Sequence, residues 1–348
     1  MREPLRNHSL ARRPRGAAPT ALVAAALTLG SLIARPARAQ DIAGSLETLG
    51  VENAKLYVGP VTNGLAAAMN SGLFHTARVH APLGFDIGVR AIGAVVPNAD
   101  DTFVPVLPAS VDFMGVTYTS PYGPAGGSAL LSPTAVGKGP GLVLQPQGSF
   151  RQAIVTAGQS PSSFDIALPE GFDFPLVPYG AIQGSLGLIL GTEATVRFIP
   201  SIEISQDVGS VEMFGFGLKH SIDQWFPVPS PINIAVAYAH QELDVGTYLD
   251  ASADEFSLIV SKDFPVLTLY AAGTIEDASL DVTYTVANTA GIPGVPANGT
   301  RIAFTADSPN NGRLTLGFTL NLGLLKLNGD YAVADQNVAS AGLFIGLR

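Results

Sequence analysis

The chain has 348 residues, 47% hydrophobic and only 14% charged, with a formal charge of −9 and no cysteine. The lack of thiols excludes a disulfide framework, thiolate metal sites and thiol catalysis, and an acidic chain without clustered Lys and Arg disfavours nucleic acid as a partner. Beyond the first forty residues no apolar run approaches the roughly 18 residues of a membrane-crossing helix, so the apolar content must be dispersed in another pattern.

At the start, Arg2, Arg6, Arg12, Arg13 and Arg15 precede an apolar stretch at 17–34 that ends in Ala37-Arg38-Ala39. This predicts a signal peptide over 1–39, cleaved near Ala39. Arg12-Arg13 is followed by Pro14 without the rest of a twin-arginine pattern, so the general secretory route is expected. Cleavage leaves 12 basic against 27 acidic side chains, a formal charge of −15. In residues 40–73, Ile42, Leu46 and Leu49 recur at helical spacing, as do Val61, Leu65 and Met69, with Gly59-Pro60 between the groups. Two short amphipathic helices are predicted, forming an N-terminal helical plug inside a lumen or a segment at its periplasmic mouth.

From 74 to 348 the pattern changes to period two. Phe85, Ile87, Val89 and Ala91 alternate with Asp86, Gly88 and Arg90, one face suited to lipid and the other to water. Residues 97–177 are rich in Pro, Gly and Ser and read as long external loops, with weak strand signals at 111–119 and 134–145. Nine strands follow, at 178–190, 193–204, 210–220, 231–243, 254–262, 265–286, 313–321, 324–333 and 338–348, and short connections alternate with long ones.

Backbone amides in lipid must be satisfied internally, so alternating strands imply a closed sheet. The fold class is therefore all-β: a transmembrane antiparallel β-barrel in the outer membrane of a Gram-negative-type bacterium. With both termini periplasmic, one, three or five strands upstream of residue 178 make the total even. Length favours about 12 strands, range 10–14. A secreted β-sandwich is the competing reading. In the last strand Ala341, Leu343, Ile345 and Leu347 share a face; the chain ends in Arg348 where many barrels end in an aromatic residue, which leaves Phe344 as the aromatic for the barrel-assembly machinery to read.

Several strings carry a resemblance: Asn70-Ser-Gly-Leu-Phe-His-Thr-Ala77 leading into Leu83-Gly-Phe-Asp-Ile87, Gly171-Phe-Asp-Phe174, the segment 191–204, and Gly215-Phe-Gly-Leu-Lys-His220 through Gln224-Trp-Phe-Pro227. The chain resembles a family of uncharacterised outer-membrane barrel proteins whose architecture is similar to that of the long-chain fatty-acid transporters. The resemblance implies a barrel with an N-terminal plug-like segment and passage of hydrophobic compounds, with no settled substrate.

No catalytic, cofactor-binding or metal site is expected, and no enzyme activity. His75 and His80 lie five apart, and His220 and His240 are isolated, which is not a converging ligand set. Asp100-Asp101 and Asp254-Glu255 read as a solvated loop and a strand end. No G-x-S-x-G is present, Gly137-Lys-Gly-Pro-Gly141 lacks the ending of a phosphate loop, and Asn298-Gly-Thr300 reads as a turn. Trp225, Phe226, Tyr238, Tyr270 and Tyr331 are candidates for aromatic girdles or wall filling, Trp225-Phe226 foremost. Arg90, Arg197 and Lys219 fall within strands, where lipid exposure near the midplane costs about 2 to 4 kcal/mol, so they should face the lumen or an interface, with Asp86 and Glu212 as possible partners. The function expected is a passive channel or transporter for small, possibly hydrophobic, molecules; a non-transport structural or surface-interaction barrel is the alternative. Expected partners are outer-membrane lipid and lipopolysaccharide, the assembly machinery, and possibly a hydrophobic small molecule.

Overall fold

The computed structural model describes residues 42, 44–47, 49–206, 208–228 and 230–347. The signal peptide, its cleavage near Ala39 and the terminal Arg348 lie outside the described residues.

Eleven long strands follow an N-terminal helix, and a second helix, Gly148–Thr156, lies in the cap built by residues 96–175. The long strands are β1 (Phe85–Val95), β2 (Leu176–Gly187), β3 (Thr192–Ser205), β4 (Gly209–Ser221), β5 (Asn233–Val245) and β6 (Leu249–Asp263), then β7 (Leu267–Thr285), β8 (Arg301–Asp307), β9 (Gly312–Leu322), β10 (Leu325–Val333) and β11 (Val338–Leu347). Each pairs antiparallel with its neighbours. β1 closes the ring by pairing with both β2 and β11, Val89 lying opposite Ile182 on one side and Leu343 on the other. β7 is long enough to serve two partners: Leu267–Ile275 pairs with β9, and Ser279–Thr285 pairs with β8 above it. The ring therefore has ten strands, with β8 an extra strand outside it.

Ten replaces the expected twelve because residues 96–175 add nothing to the ring. The weak signals near 111–119 and 134–145 become a hairpin, Ser110–Phe113 with Val116–Thr119, and small ladders such as Tyr122–Pro124 with Val143–Pro146. Four residues extend only about 13 Å, too short to cross an apolar band of about 25 Å. These pieces instead form a cap around their own core, in which Phe103, Tyr122, Leu144, Phe150 and Ile154 meet Tyr57, Tyr284 and Phe304.

The two helices expected about Gly59-Pro60 are also corrected. Residues 42 and 44–46 are helical, but α1 (Val51–Met69) runs straight through Pro60, so the division lies before Val51. Proline removes one backbone donor from a helix interior, yet both sides of this helix are held: Tyr57 and Val58 lie in the cap core, while Ala66 to Met69 pack against Ile92, Val177, Tyr179 and Leu280 at the top of the lumen. Gly64 permits that approach, since a Cβ there would lie 2.6 Å from Val177 Cγ2. Gly64→Val should lift the helix and cost about 1–3 kcal/mol. A fall in the urea midpoint of the detergent-folded protein, relieved by adding Val177→Ala, is expected; an unchanged midpoint would mean that this contact does not hold α1.

Outward-facing residues divide into two zones. Phe85, Ile87, Leu186, Phe256, Leu258, Leu316 and Phe318 are exposed around the barrel below the level of His240 and Asp254, with Phe216 at that level and Phe214 just above it. Above it the outer face turns acidic, with Glu212, Asp244, Asp250 and Asp281 directly opposite one another across β4 to β7. From Phe256 to Phe264 the strand and its turn cover about 26 Å before tilt. At a barrel tilt of about 40° that is about 20 Å of height, within an apolar band of about 25 Å.

Candidate functional site

The lumen is occupied by the chain itself. After α1 the segment 70–84, here called the strap, descends from the end carrying the long loops to the end carrying the short turns, where it joins β1. It is irregular, and apart from Leu83 and Gly84, which bond to Gly187 at the end of β2, many of its backbone groups are met by wall side chains. Near the top, Arg197 Nη1 donates to Ser71 O at 3.0 Å, and Gln241 donates to Met69 O. Lower down, Gln183 Nε2 donates to Leu73 O at 2.9 Å, Thr319 Oγ1 to His75 O at 2.8 Å and Lys219 Nζ to Thr76 O at 3.1 Å. The amides also find partners: Ala77 N donates to Ser261 Oγ at 3.1 Å and His80 N to Glu193 Oε2 at 3.0 Å. Gly72 turns the strap at φ +68°, where an added Cβ would also crowd Ser340 Oγ and Arg90.

Around the strap the inward side chains pair their charges. Lys326 Nζ lies 2.9 Å from Asp86 Oδ2, with His75 Nε2 at 3.5 Å and His80 Nε2 at 3.3 Å from the same oxygen. His80 Nδ1 is 2.7 Å from Glu193 Oε2, and Lys219 Nζ is 2.9 Å from Glu193 Oε1. Arg90 Nη1 lies 3.1 Å from Asp330 Oδ2, which also accepts from Tyr270 Oη at 2.7 Å. Arg313 bridges Glu276 at 2.6 Å and Glu255. In a low-dielectric interior such groups persist only when paired. Beside the strap lies a cavity of about 20 Å³ bounded by Phe74, Tyr270, Arg313 and Asp330, and one of about 240 Å³ opens at the short-turn mouth beside Arg78, Asn321 and Lys326.

Arg90, Arg197 and Lys219 all face inward, as the cost of lipid exposure requires. Their suggested partners are corrected. Asp86 pairs with Lys326, and Glu212 is on the outer face, because β4 turns its odd-numbered residues inward. Asp254 and Glu255 are adjacent and therefore point to opposite faces. His75 and His80 converge on Asp86, but among the described residues no group of three or more His, Asp or Glu could hold a metal ion. Asp100 and Asp101 sit in a short 3-10 turn of the cap. Trp225 and Phe226 are exposed at the short-turn rim, where Trp225 Nε1 donates to His220 Nε2 at 3.1 Å. Tyr238 and Tyr331 face outward, whereas Tyr270 and Phe344 face inward. Phe344, fully buried 5.3 Å from the His75 ring, is not a lipid-face aromatic.

A larger cavity lies in the cap. It is a cleft of about 480 Å³ between the start of α1, the segment 106–108 and the loop 294–296, with Leu49, Leu144, Ile166, Leu168, Val295 and Pro296 as apolar walls and Glu52 and Asn53 at the edge. Asn53 fixes one wall by a reciprocal pair, Nδ2 donating to Val106 O at 2.9 Å and Oδ1 accepting from Val106 N at 2.8 Å. Tyr122 fixes another through a 2.8 Å bond from its hydroxyl to Pro293 O. Burial pushes that hydroxyl up to about 12, with the charge of Asp165 adding to the shift, so it remains a donor at any ordinary pH. The sequence gives little sign of this cleft, because its walls come from five separate segments without periodicity.

No curated protein matches the chain by sequence. Among solved structures, similarities extend to the attachment invasion locus protein Ail of Yersinia pestis (10% identity, 48% of this chain and 95% of that one, TM-score 0.22). They extend also to a loop-deletion mutant of OmpT, an outer membrane protein of Vibrio cholerae (13%, 76% and 99%, TM-score 0.24), and to a mutant porin of Rh. blastica (12%, 76% and 98%, TM-score 0.19). Superpositions this loose carry no argument about function, and none of them points to the fatty-acid transporters. The family is shown by sequence alone: a model matches residues 19–347, and the chain belongs to the family of unknown function DUF6588.

Proposed function

We propose that this chain is an outer-membrane barrel with a sealed lumen, whose task is to hold the cap on the cell surface and to bind there, through the apolar cleft, a small apolar molecule or apolar side chains of a partner. The role is non-catalytic. The apolar lower band of the barrel supports the membrane location, with lipid around it and the acidic upper zone at the level of lipopolysaccharide head groups. The long connections and the cap belong on the outer side, and the short turns at 188–191, 264–266 and 323–324 on the periplasmic side.

The observation that carries the reading is the filled lumen. The strap, its wall partners and the buried ion pairs leave about 20 Å³ beside the strap and about 240 Å³ at the short-turn mouth, while the cap cleft holds about 480 Å³. A passive channel needs the reverse distribution. Fused into a planar bilayer in molar salt, the mature protein should give no discrete conductance steps. Frequent steps of uniform size would sink the sealed-barrel reading and restore the passive channel. Binding is a separate question: an environment-sensitive apolar dye should bind the wild-type protein, and Leu168→Glu, which puts a carboxylate in the cleft wall, should lower that binding at least tenfold.

A further inference from the structure

We infer that the lumen is a main-chain-binding track along which the N-terminal segment is threaded, so that α1 stands on the cell surface although β1 begins at the periplasmic rim. The inference rests on the orientation proposed above and adds the path of the chain.

Three observations carry it. First, the direction of the strap is fixed by its contacts in order. Ser71 meets Arg197, Leu73 meets Gln183, Thr76 meets Lys219, His80 meets Glu193, and Leu83 N donates to Gly187 O at 2.9 Å at the end of β2. The strap thus runs the height of the barrel once, from the cap end to the short-turn end. Second, α1 is built into the cap. Ala135 N donates to Tyr57 O at 2.9 Å, Tyr57 Oη donates to Glu170 O at 2.9 Å, and Tyr57 itself is fully buried. A helix held in this way lies on the cap side of the membrane. Third, the wall reads the strap mainly through its peptide groups. Gln183, Lys219 and Thr319 each donate to a strap carbonyl, and Glu193 and Ser261 each accept from a strap amide. Such a surface holds an extended chain by its backbone, which is the requirement for a track, while Ser71, His75 and His80 fix its register through their side chains.

A mechanical consequence follows. The strap is anchored at one end by β1 and at the other by a helix locked into the cap. It cannot leave toward the periplasm as a detached plug would, because α1 and the cap are joined to it. The wall is complete only when β11 meets β1, so the strap is laid into the lumen before that seam closes.

The absence of native cysteine makes the path directly testable. Single variants Met114→Cys at the cap hairpin tip (77% exposed), Leu324→Cys at a short turn (57%) and Leu56→Cys on α1 (40%) are treated with a membrane-impermeant maleimide, on intact cells and after permeabilising the outer membrane. The expected result is full labelling of Met114→Cys and Leu56→Cys on intact cells, and at least a tenfold gain for Leu324→Cys only after permeabilisation. Labelling of Met114→Cys on intact cells while Leu56→Cys requires permeabilisation would overturn the threaded path and leave the orientation standing. Labelling of Leu324→Cys but not Met114→Cys on intact cells would overturn the orientation, and the surface location of α1 with it. Heat-dependent mobility of each variant confirms that the labelled species is folded.

Discussion

Arg313→Ala should destabilise the barrel more than any other single side-chain truncation in the lumen, by about 3–5 kcal/mol, because it leaves two buried carboxylates facing each other without a cation. Glu255 and Glu276 are directly opposite in the β6–β7 register and nearly inaccessible, and Arg313 reaches both while donating to Ser71 Oγ at 3.0 Å. Like charges opposed across a sheet already cost stability at a surface, and burial removes the screening that would soften the cost. The measurement is the urea midpoint in detergent, with the conversion temperature of the fast-migrating form as a second reading. If the charge is the cause, adding Glu255→Gln and Glu276→Gln to Arg313→Ala should recover most of the loss. A loss that persists in the triple variant would assign the effect to packing instead. The exposed pair Lys138–Asp173, 3.0 Å apart in the cap, is the control: Lys138→Ala should leave both readings within error.

Much of this lumen was legible by parity alone. Once Phe85, Ile87 and Val89 are assigned to lipid, Asp86 and Arg90 must point inward. The same rule applied to β11 turns Phe344 inward, since Leu343 and Ile345 face out. It also separates Glu212 from Lys219, which stand on opposite faces of one strand. Parity cannot supply the partner on another strand. Lys219 with Glu193, and Arg90 with Asp330, depend on register and on closure of the ring, and neither is written in any local pattern. The central count of twelve gives way to ten, the lower end of the expected range, for a related reason. A cap with its own apolar core and a leaflet of lipid both reward short alternating segments, and only the length of an uninterrupted run distinguishes them. The strap has no periodicity at all, because its backbone bonds to side chains instead of to a helix or ladder. Its sequence, Asn70 to Gly84, therefore reads as a connection, although it fills the lumen.

Removing the strap should convert a silent protein into a conducting one. In a variant lacking residues 42–82, the ten wall strands retain every ladder bond, since none of these bonds involves the deleted segment. The wall side chains that served the strap, among them Gln183, Arg197, Lys219 and Glu193, are polar and can exchange its peptide groups for water. Inward charges remain balanced, with Asp86, Glu193, Glu255, Glu276 and Asp330 against Arg90, Arg197, Lys219, Arg313 and Lys326, so the emptied lumen should wet and should discriminate weakly between cations and anions. Ten strands enclose more space than the eight whose side chains alone fill a barrel, which leaves room for hydrated ions. Discrete conductance steps are expected from the deletion variant in a planar bilayer, with none from the wild-type chain. Gly72→Ala, which strains the strap without removing it, should remain closed. A deletion variant that keeps its heat-dependent mobility yet never conducts would show that the wall residues close over the lumen by themselves, and the strap would then be a fastening for the cap and not the seal.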